Sequence, residues 1–355
     1  MKKEIWNQNT NKRPLIIAGP CSAETREQVM ATAEAISQSG VAYFRAGIWK
    51  PRTRPGSFEG VGSAGLEWLK EVKTTYGIKT CTEVANVKHV YEALKAGIDM
   101  LWIGARTTTN PFAVQEMAEA LSGVDIPILV KNPINPDLGL WIGAIERFML
   151  KGTTRIGAIH RGFSQYGEQK YRNEPQWDIP IELQRLNPDL PLICDPSHIA
   201  GNRALLAEVS QKAMDLNFDG LMIETHTTPD EAWSDAAQQL TPTDLDMLLA
   251  ELIIREVDPQ EVSMESLSIL RNEIDSFDEQ LLDILRNRMK TVEKIGEFKK
   301  NNDMTILQNS RWSSLLERNL QMAQKYDLDE AMVNSILKAV HQGSINLQER
   351  VIGGK

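Results

Sequence analysis

A chain of 355 residues with a formal charge of −9 is long enough for two domains, and its acidity excludes sequence-independent binding to nucleic acid. Its 42% hydrophobic and 25% charged residues are those of a globular protein, and no apolar run approaches the roughly 20 residues of a membrane span. Three cysteines argue against a disulfide framework and for a reducing cytoplasm, and the N-terminal MKKEIWNQNTNKRP has no apolar centre for a signal peptide.

The first β-rich run is expected at 15–19, which leaves no room for an extra N-terminal domain. Seven more follow at 42–46, 79–83, 100–104, 126–131, 155–160, 190–195 and 220–224, separated by amphipathic stretches such as REQVMATAEAISQSG and VKHVYEALKAGID. Eight βα units in about 250 residues predict a (β/α)8 TIM barrel. An open doubly wound sheet competes with it, but no Gly-rich dinucleotide loop follows the first run. A closing helix is expected over 243–255, then a polar linker over 256–263. From 264 onward proline and strand signals cease, and three helices are expected at 264–300, 308–325 and 329–350. Three helices, the first very long, cannot easily bury their apolar faces alone, so the tail predicts an all-α domain that dimerises. The expected domains are therefore 1–255 and 264–355.

Cys21, His198 and Glu224 each follow an apolar run, and Asp235 stands just beyond the last. Parallel strands deliver their C-terminal ends to one face of a barrel, so these four become neighbours. A thiolate, an imidazole and two carboxylates suit Mn, Fe, Co or Zn better than Mg or Ca. The alternative is four unrelated polar residues at strand ends. The loop FRAGIWKPRTRPGSFEG holds Arg45, Lys50, Arg52 and Arg54 within ten residues, and Arg106, Lys131 and Arg161 stand at later strand ends. Such cations on one rim suit a small substrate with several negative charges, since arginine clamps phosphate or carboxylate through paired hydrogen bonds. Cys81 and Cys194 are expected to be buried small hydrophobes, His160 to line the site, His226 to stand behind the ligands, and His89 to lie on a helix surface.

Taken together, AGPCS, FRAGxxKPRT, CTEV, WIGAR, VKNP, HRG, DPSHIAG, IETH and SDAAQ resemble, in order, the 3-deoxy-D-arabino-heptulosonate 7-phosphate (DAHP) synthase family over residues 15–240. The resemblance implies condensation of phosphoenolpyruvate with erythrose 4-phosphate at a divalent metal, Mn2+ above Fe2+, Co2+ or Zn2+, held by Cys21, His198, Glu224 and Asp235. It assigns Arg45, Lys50, Arg106, Lys131 and Arg161 to phosphoenolpyruvate, with Glu83 close by, and Arg52 and Thr53 to erythrose 4-phosphate. Lys50 and His198 are the expected proton-handling groups. Asn132-Pro133 stands where relatives often carry glycine. The octulosonate 8-phosphate synthases share the metal set, but KPRT at 50–53 matches the heptulosonate enzyme.

In the tail, Arg288 and Lys299 are roughly three helical turns apart and share a face, whereas Arg271 lies roughly 100° around from them. Ser344 and Gln348 share a face of the last helix. Residues 264–350 resemble the all-helical chorismate mutases, an intertwined dimer in which the first arginine enters the partner's site. The resemblance places Arg271 and Arg288 on the carboxylates of chorismate, Lys299 and Gln348 on its ether oxygen, and Arg311 and Ser344 on matching polar positions. Gln308 and Trp312 depart from it, standing where many relatives carry Asp and Glu. The tail is expected to be catalytic and also to sense prephenate or chorismate, inhibiting the synthase by closing against the barrel; a non-catalytic sensing and dimerisation module is the alternative.

Overall fold

The computed structural model describes residues 14–50, 56–167, 169–255 and 261–353, and of residues 261–265 only the backbone. The chain divides into two compact units, Met1–Val257 and Asp258–Lys355.

In the first unit, β1 (Leu15–Gly19), β2 (Tyr43–Arg45), β3 (Lys79–Val84), β4 (Met100–Ile103), β5 (Ile128–Lys131), β6 (Ile156–His160), β7 (Leu192–Cys194) and β8 (Gly220–Glu224) pair in sequence order. All pairs are parallel, and β8 closes on β1 with Leu15 opposite Gly220. The eight strands fall where the apolar runs predict them, and the closed ring excludes the open sheet. Helices α1 (Arg26–Ile36), α2 (Ala64–Tyr76), α3 (Val87–Lys95), α4 (Ala105–Thr108), α5 (Pro111–Ala120), α6 (Leu138–Leu150), α7 (Asp178–Leu186), α8 (Pro196–Ala200), α9 (Leu206–Asp215) and α10 (Pro242–Glu251) fill the crossovers and the close of the barrel. Their starts obey capping chemistry: Thr25, Asn86, Asn110, Asp137 and Thr241 each accept a backbone N–H of the first turn.

The core has two layers, as the period of two along a strand requires. One holds Ala18, Phe44, Ile103, Val130, Ala158 and Ile223 against helix residues such as Val29, Leu69 and Trp141. The other contains strand residues alone, among them Tyr43, Cys81, Leu129, Ile159, Ile193 and Met222, and so fills the barrel interior. Two positions beyond each of these six, on the same side of its strand or one step past its end, stand Arg45, Glu83, Lys131, Arg161, Asp195 and Glu224. Strand parity thus aims six charged residues at the C-terminal mouth.

In the second unit, α11 (Glu261–Asn301), α12 (Asn309–Lys325) and α13 (Glu330–Gly353) form the all-α tail. α11 begins at Glu261, inside the stretch read as linker, because EVS carries no helix-breaking residue; residues 256–260 lie outside the described ones. Val292, Gly296 and Lys299 are buried along one side of α11, and a Cβ on Gly296 would stand 3.2 Å from Val351 of α13. The missing side chain lets the two helices approach closely. Elsewhere α11 leaves Ile269, Leu270, Ile274, Phe277, Leu281 and Leu282 exposed.

Candidate active sites

The barrel mouth brings Cys21, Glu224 and Asp235 together, with one ligand atom of each within 4.8 Å of the others. Cys21 Sγ lies 3.3 Å from Asp235 Oδ2, and His198 Nε2 lies 3.8 Å from Glu224 Oε1. The turn DPSHIAG builds the histidine's place from local rules. Asp195 caps α8, accepting the His198 N–H at 3.1 Å, Pro196 supplies the first helical residue, and Gly201 ends the helix at φ 72°. His198 then sits one turn in, with Nδ1 3.0 Å from Asp195 Oδ1 and Nε2 left toward Glu224. A carboxylate behind the inner ring nitrogen is the usual way to orient a metal-ligating histidine.

Cations interleave with these groups. Arg45, fully buried, lies 3.2 Å from Glu224 Oε1, and its guanidinium stands over Trp102, 5.0 Å from the ring centre. Lys131 Nζ donates to Asp195 Oδ2 at 2.7 Å, a pair buried on both sides. Lys50 Nζ donates to the Cys21 carbonyl and reaches Cys21 Sγ at 3.1 Å. Arg161 donates to Asn173 Oδ1 at 2.6 Å, and its own N–H donates to Asn132 Oδ1 at 2.7 Å. Asn132 also donates to the Gly162 carbonyl, so the departure from glycine at this position ties the end of β5 to the HRG turn. Arg106 is exposed on α4, and Glu83 accepts from Trp102 Nε1 at 3.0 Å. Arg52 and Thr53 lie outside the described residues.

The electrostatics follow from this crowding. Burial, with Glu224 next, pushes the Cys21 thiol up to about 12. Burial also works to raise the Asp195 carboxyl, but His198 and Lys131 hold it well below the ordinary carboxylate range. Asp235 is lowered against burial, chiefly by Arg172, which donates to its Oδ1 at 2.9 Å. Burial and the cations Arg172 and Arg106 bring Arg161 down to about 10. Burial is the larger cause, and the two arginines add to it.

In the tail, Arg288 donates to Ser344 Oγ at 2.7 Å, joining α11 to α13. Lys299 is nearly buried, which lowers its ammonium, and it donates to the Ile306 carbonyl. Gln348 is buried one turn beyond Ser344, and its Oε1 accepts no hydrogen bond. Trp312 stacks on His341, ring centres 3.9 Å apart at 12°. Arg271 and Arg311 are exposed.

Residues 4–258 match the family model of the DAHP synthetase I family. The chain belongs to that family. Residues 270–349 match chorismate mutase type II. A phospho-2-dehydro-3-deoxyheptonate aldolase of Thermotoga maritima is 35% identical over 226 residues, 63% of this chain and 64% of its own length. The chain thus spans under two thirds of that relative. A 2-dehydro-3-deoxyphosphooctonate aldolase of Wolinella succinogenes is 26% identical over 67% of this chain and 98% of its own. The crystal structure of the Thermotoga DAHP synthase aligns with a TM-score of 0.62 at 32% identity, covering 68% of each chain.

Within this DAHP synthetase I barrel, several expectations change. His160 does not line the mouth. It points outward from β6, fully buried, with ring centres of Trp177, Phe163 and Trp141 at 5.3, 5.7 and 6.3 Å. Its parity is opposite to that of Ile159, a rule legible in the sequence once β6 is placed. His89 is half-buried and stacks on Trp49 at 3.9 Å. His226 is buried with Nε2 3.7 Å from Glu24 Oε2. Cys81 and Cys194 are buried, as expected. Sequence reasoning missed Asp195, Arg172, Gln238 and Gln239. Parity and the D-P cap signal could have found Asp195, but nothing local marks the other three.

Proposed function

We propose that the barrel condenses phosphoenolpyruvate with D-erythrose 4-phosphate to DAHP and phosphate, and that the tail converts chorismate to prephenate. The observation that carries the barrel reading is the meeting of Cys21, Glu224 and Asp235 with Arg45, Lys50 and Lys131 at one mouth. The residues fit a divalent ion. Glu224 Oε1 is buried and, apart from its ion pair with Arg45, accepts no hydrogen bond, and the mixed thiol, imidazole and carboxylate donors suit Mn2+, with Fe2+, Co2+ or Zn2+ as alternatives. Cys21, His198, Glu224 and Asp235 would hold it, and when bound it supplies Lewis-acid polarisation of the aldehyde.

Arg45, Lys131, Arg106 and Arg161 bind the phosphate and carboxylate of phosphoenolpyruvate, with Glu83 bracing Trp102 beneath them. Arg52 and Thr53 hold erythrose 4-phosphate. Lys50, beside Cys21, donates toward the aldehyde oxygen as carbon 3 of phosphoenolpyruvate attacks, and water adds at carbon 2 before phosphate leaves. His198, with Nδ1 on Asp195 and Nε2 toward the ion, has no nitrogen left to take a proton and serves as a ligand. The greater identity to the heptonate aldolase than to the octonate aldolase supports erythrose 4-phosphate over arabinose 5-phosphate.

The tail's rearrangement needs a compact conformer and charge stabilisation, not an acid or a nucleophile. Arg288, held by Ser344, binds one carboxylate, and Lys299 and Gln348 face the ether oxygen. Arg271 precedes Arg288 by 17 residues, roughly 25 Å along α11, too far to serve the same ligand. A second copy therefore supplies its Arg271, which makes the tail a homodimer; Arg311 adds positive charge at the rim. Prephenate bound there lowers the synthase rate, and an unchanged rate with prephenate would sink that part.

The test is loss of phosphoenolpyruvate absorbance, with erythrose 4-phosphate present, on chelator-stripped full-length protein before and after Mn2+. Restoration by metal that Cys21→Ala abolishes is expected. Turnover with arabinose 5-phosphate instead would overturn the substrate, and unchanged chorismate would reduce the tail to a sensing module.

A further inference from the structure

Cys21 and Asp235 belong to loops more than 200 residues apart in sequence, yet their side chains lie 3.3 Å apart. The Cys21 thiol donates to Asp235 Oδ2 there, a contact that would be lost once the sulfur binds an ion, so a second tie is needed to keep the two loops together. Gln239, fully buried, supplies it with both ends of one amide. Its Oε1 accepts the Cys21 N–H at 2.9 Å and its Nε2 donates to the Ser234 carbonyl at 2.8 Å. The preceding residue, Gln238, points to the other ligand: its Nε2 donates to Glu224 Oε2 at 2.6 Å and its Oε1 accepts from Arg172 at 2.6 Å. Arg172 in turn grips Asp235. The dipeptide is anchored against β8, the Leu240 N–H donating to the Glu224 carbonyl and the His226 N–H to that of Leu240, both at 2.9 Å. Only an uncharged group that donates and accepts at once joins a backbone N–H to a carbonyl without adding charge beside Glu224 and Asp235.

We propose that Gln238 and Gln239 are positioning residues that preset Cys21, Glu224 and Asp235 for a divalent ion before it arrives. This rests on the metal reading above. Partners of this kind behind a ligand shell are worth on the order of 10–100-fold in metal affinity.

The test titrates chelator-stripped, full-length protein with Co2+, following the thiolate-to-cobalt absorption band, with Mn2+ affinity measured by competition. Gln239→Glu keeps the acceptor and loses the donor, and Gln239→Leu loses both. A graded fall in affinity is expected, with a weaker thiolate band for Gln239→Leu and phosphoenolpyruvate binding to stripped protein unchanged. Gln238→Leu should weaken affinity while leaving the thiolate band in place. If Gln239→Leu does not fold, the nearly isosteric Gln239→Glu and Gln238→Glu carry the comparison. Parent-like affinity and band in folded variants, with only a lowered melting temperature, would show a merely structural role and overturn the proposal. Absence of the band in the parent would instead bring down the metal reading itself.

Discussion

At the residue scale, three side chains that follow a strand's last apolar residue are sent to opposite sides of the barrel wall by parity alone. Lys131 and Asp195 face inward and neutralise each other at 2.7 Å in the barrel mouth. His160 faces outward into an aromatic cage and is kept neutral, burial bringing its imidazole from 6.5 down to about 3. Between these two values the unfolded chain binds a proton that the folded chain refuses, so stability falls as pH drops through 6.5 toward 3. His160→Phe should remove this contribution. Urea denaturation at pH 7 and pH 4.5 should show the parent losing more stability than the variant, by about 2 kcal/mol or more. Equal losses would place the proton elsewhere.

At the element scale, the approach of β1 to β2 depends on a glycine just before the AGPCS cysteine. Gly19 has φ 145°, and a Cβ there would stand 2.2 Å from the Arg45 carbonyl oxygen, a backbone atom that cannot step aside. Gly19→Ala should cost more than about 3 kcal/mol and disturb Cys21 and Arg45 together. Gly40, at φ 71° with open space around it, should cost only roughly 1 kcal/mol when changed to alanine. Melting temperatures of the two variants check this, and comparable losses would refute the steric argument. The glycine pattern in A-G-P-C-S was visible in the sequence, but the carbonyl it must avoid lies on another strand.

At the scale of the whole molecule, the two units make different demands. The barrel buries its apolar residues in two layers of its own. α11 leaves Ile274, Phe277 and Leu281 exposed on 41 residues of helix, more apolar surface than one copy of the tail covers. On the proposed dimer, Phe277→Glu should shift the full-length protein toward monomer in sedimentation and lower chorismate turnover at least tenfold, by withdrawing the Arg271 assigned there to a neighbour's site. A dimer unaffected by Phe277→Glu would send the apolar row to another use.

Strand period, helix period and strand-end position are local signals, so the barrel, the three tail helices and the meeting of Cys21, Glu224 and Asp235 at one mouth were legible without coordinates. The sequence also carried the ordering of motifs that the family match repeats over residues 4–258. No local signal foretold that Gln239 joins loops separated by more than 200 residues, or that Arg172 and Gln238 meet beside Glu224 and Asp235; those contacts exist only once the ring has closed. The reason is physical. A buried charge is stabilised by whichever partner stands opposite it in space, and ring closure between β1 and β8 chooses that partner without leaving a local trace.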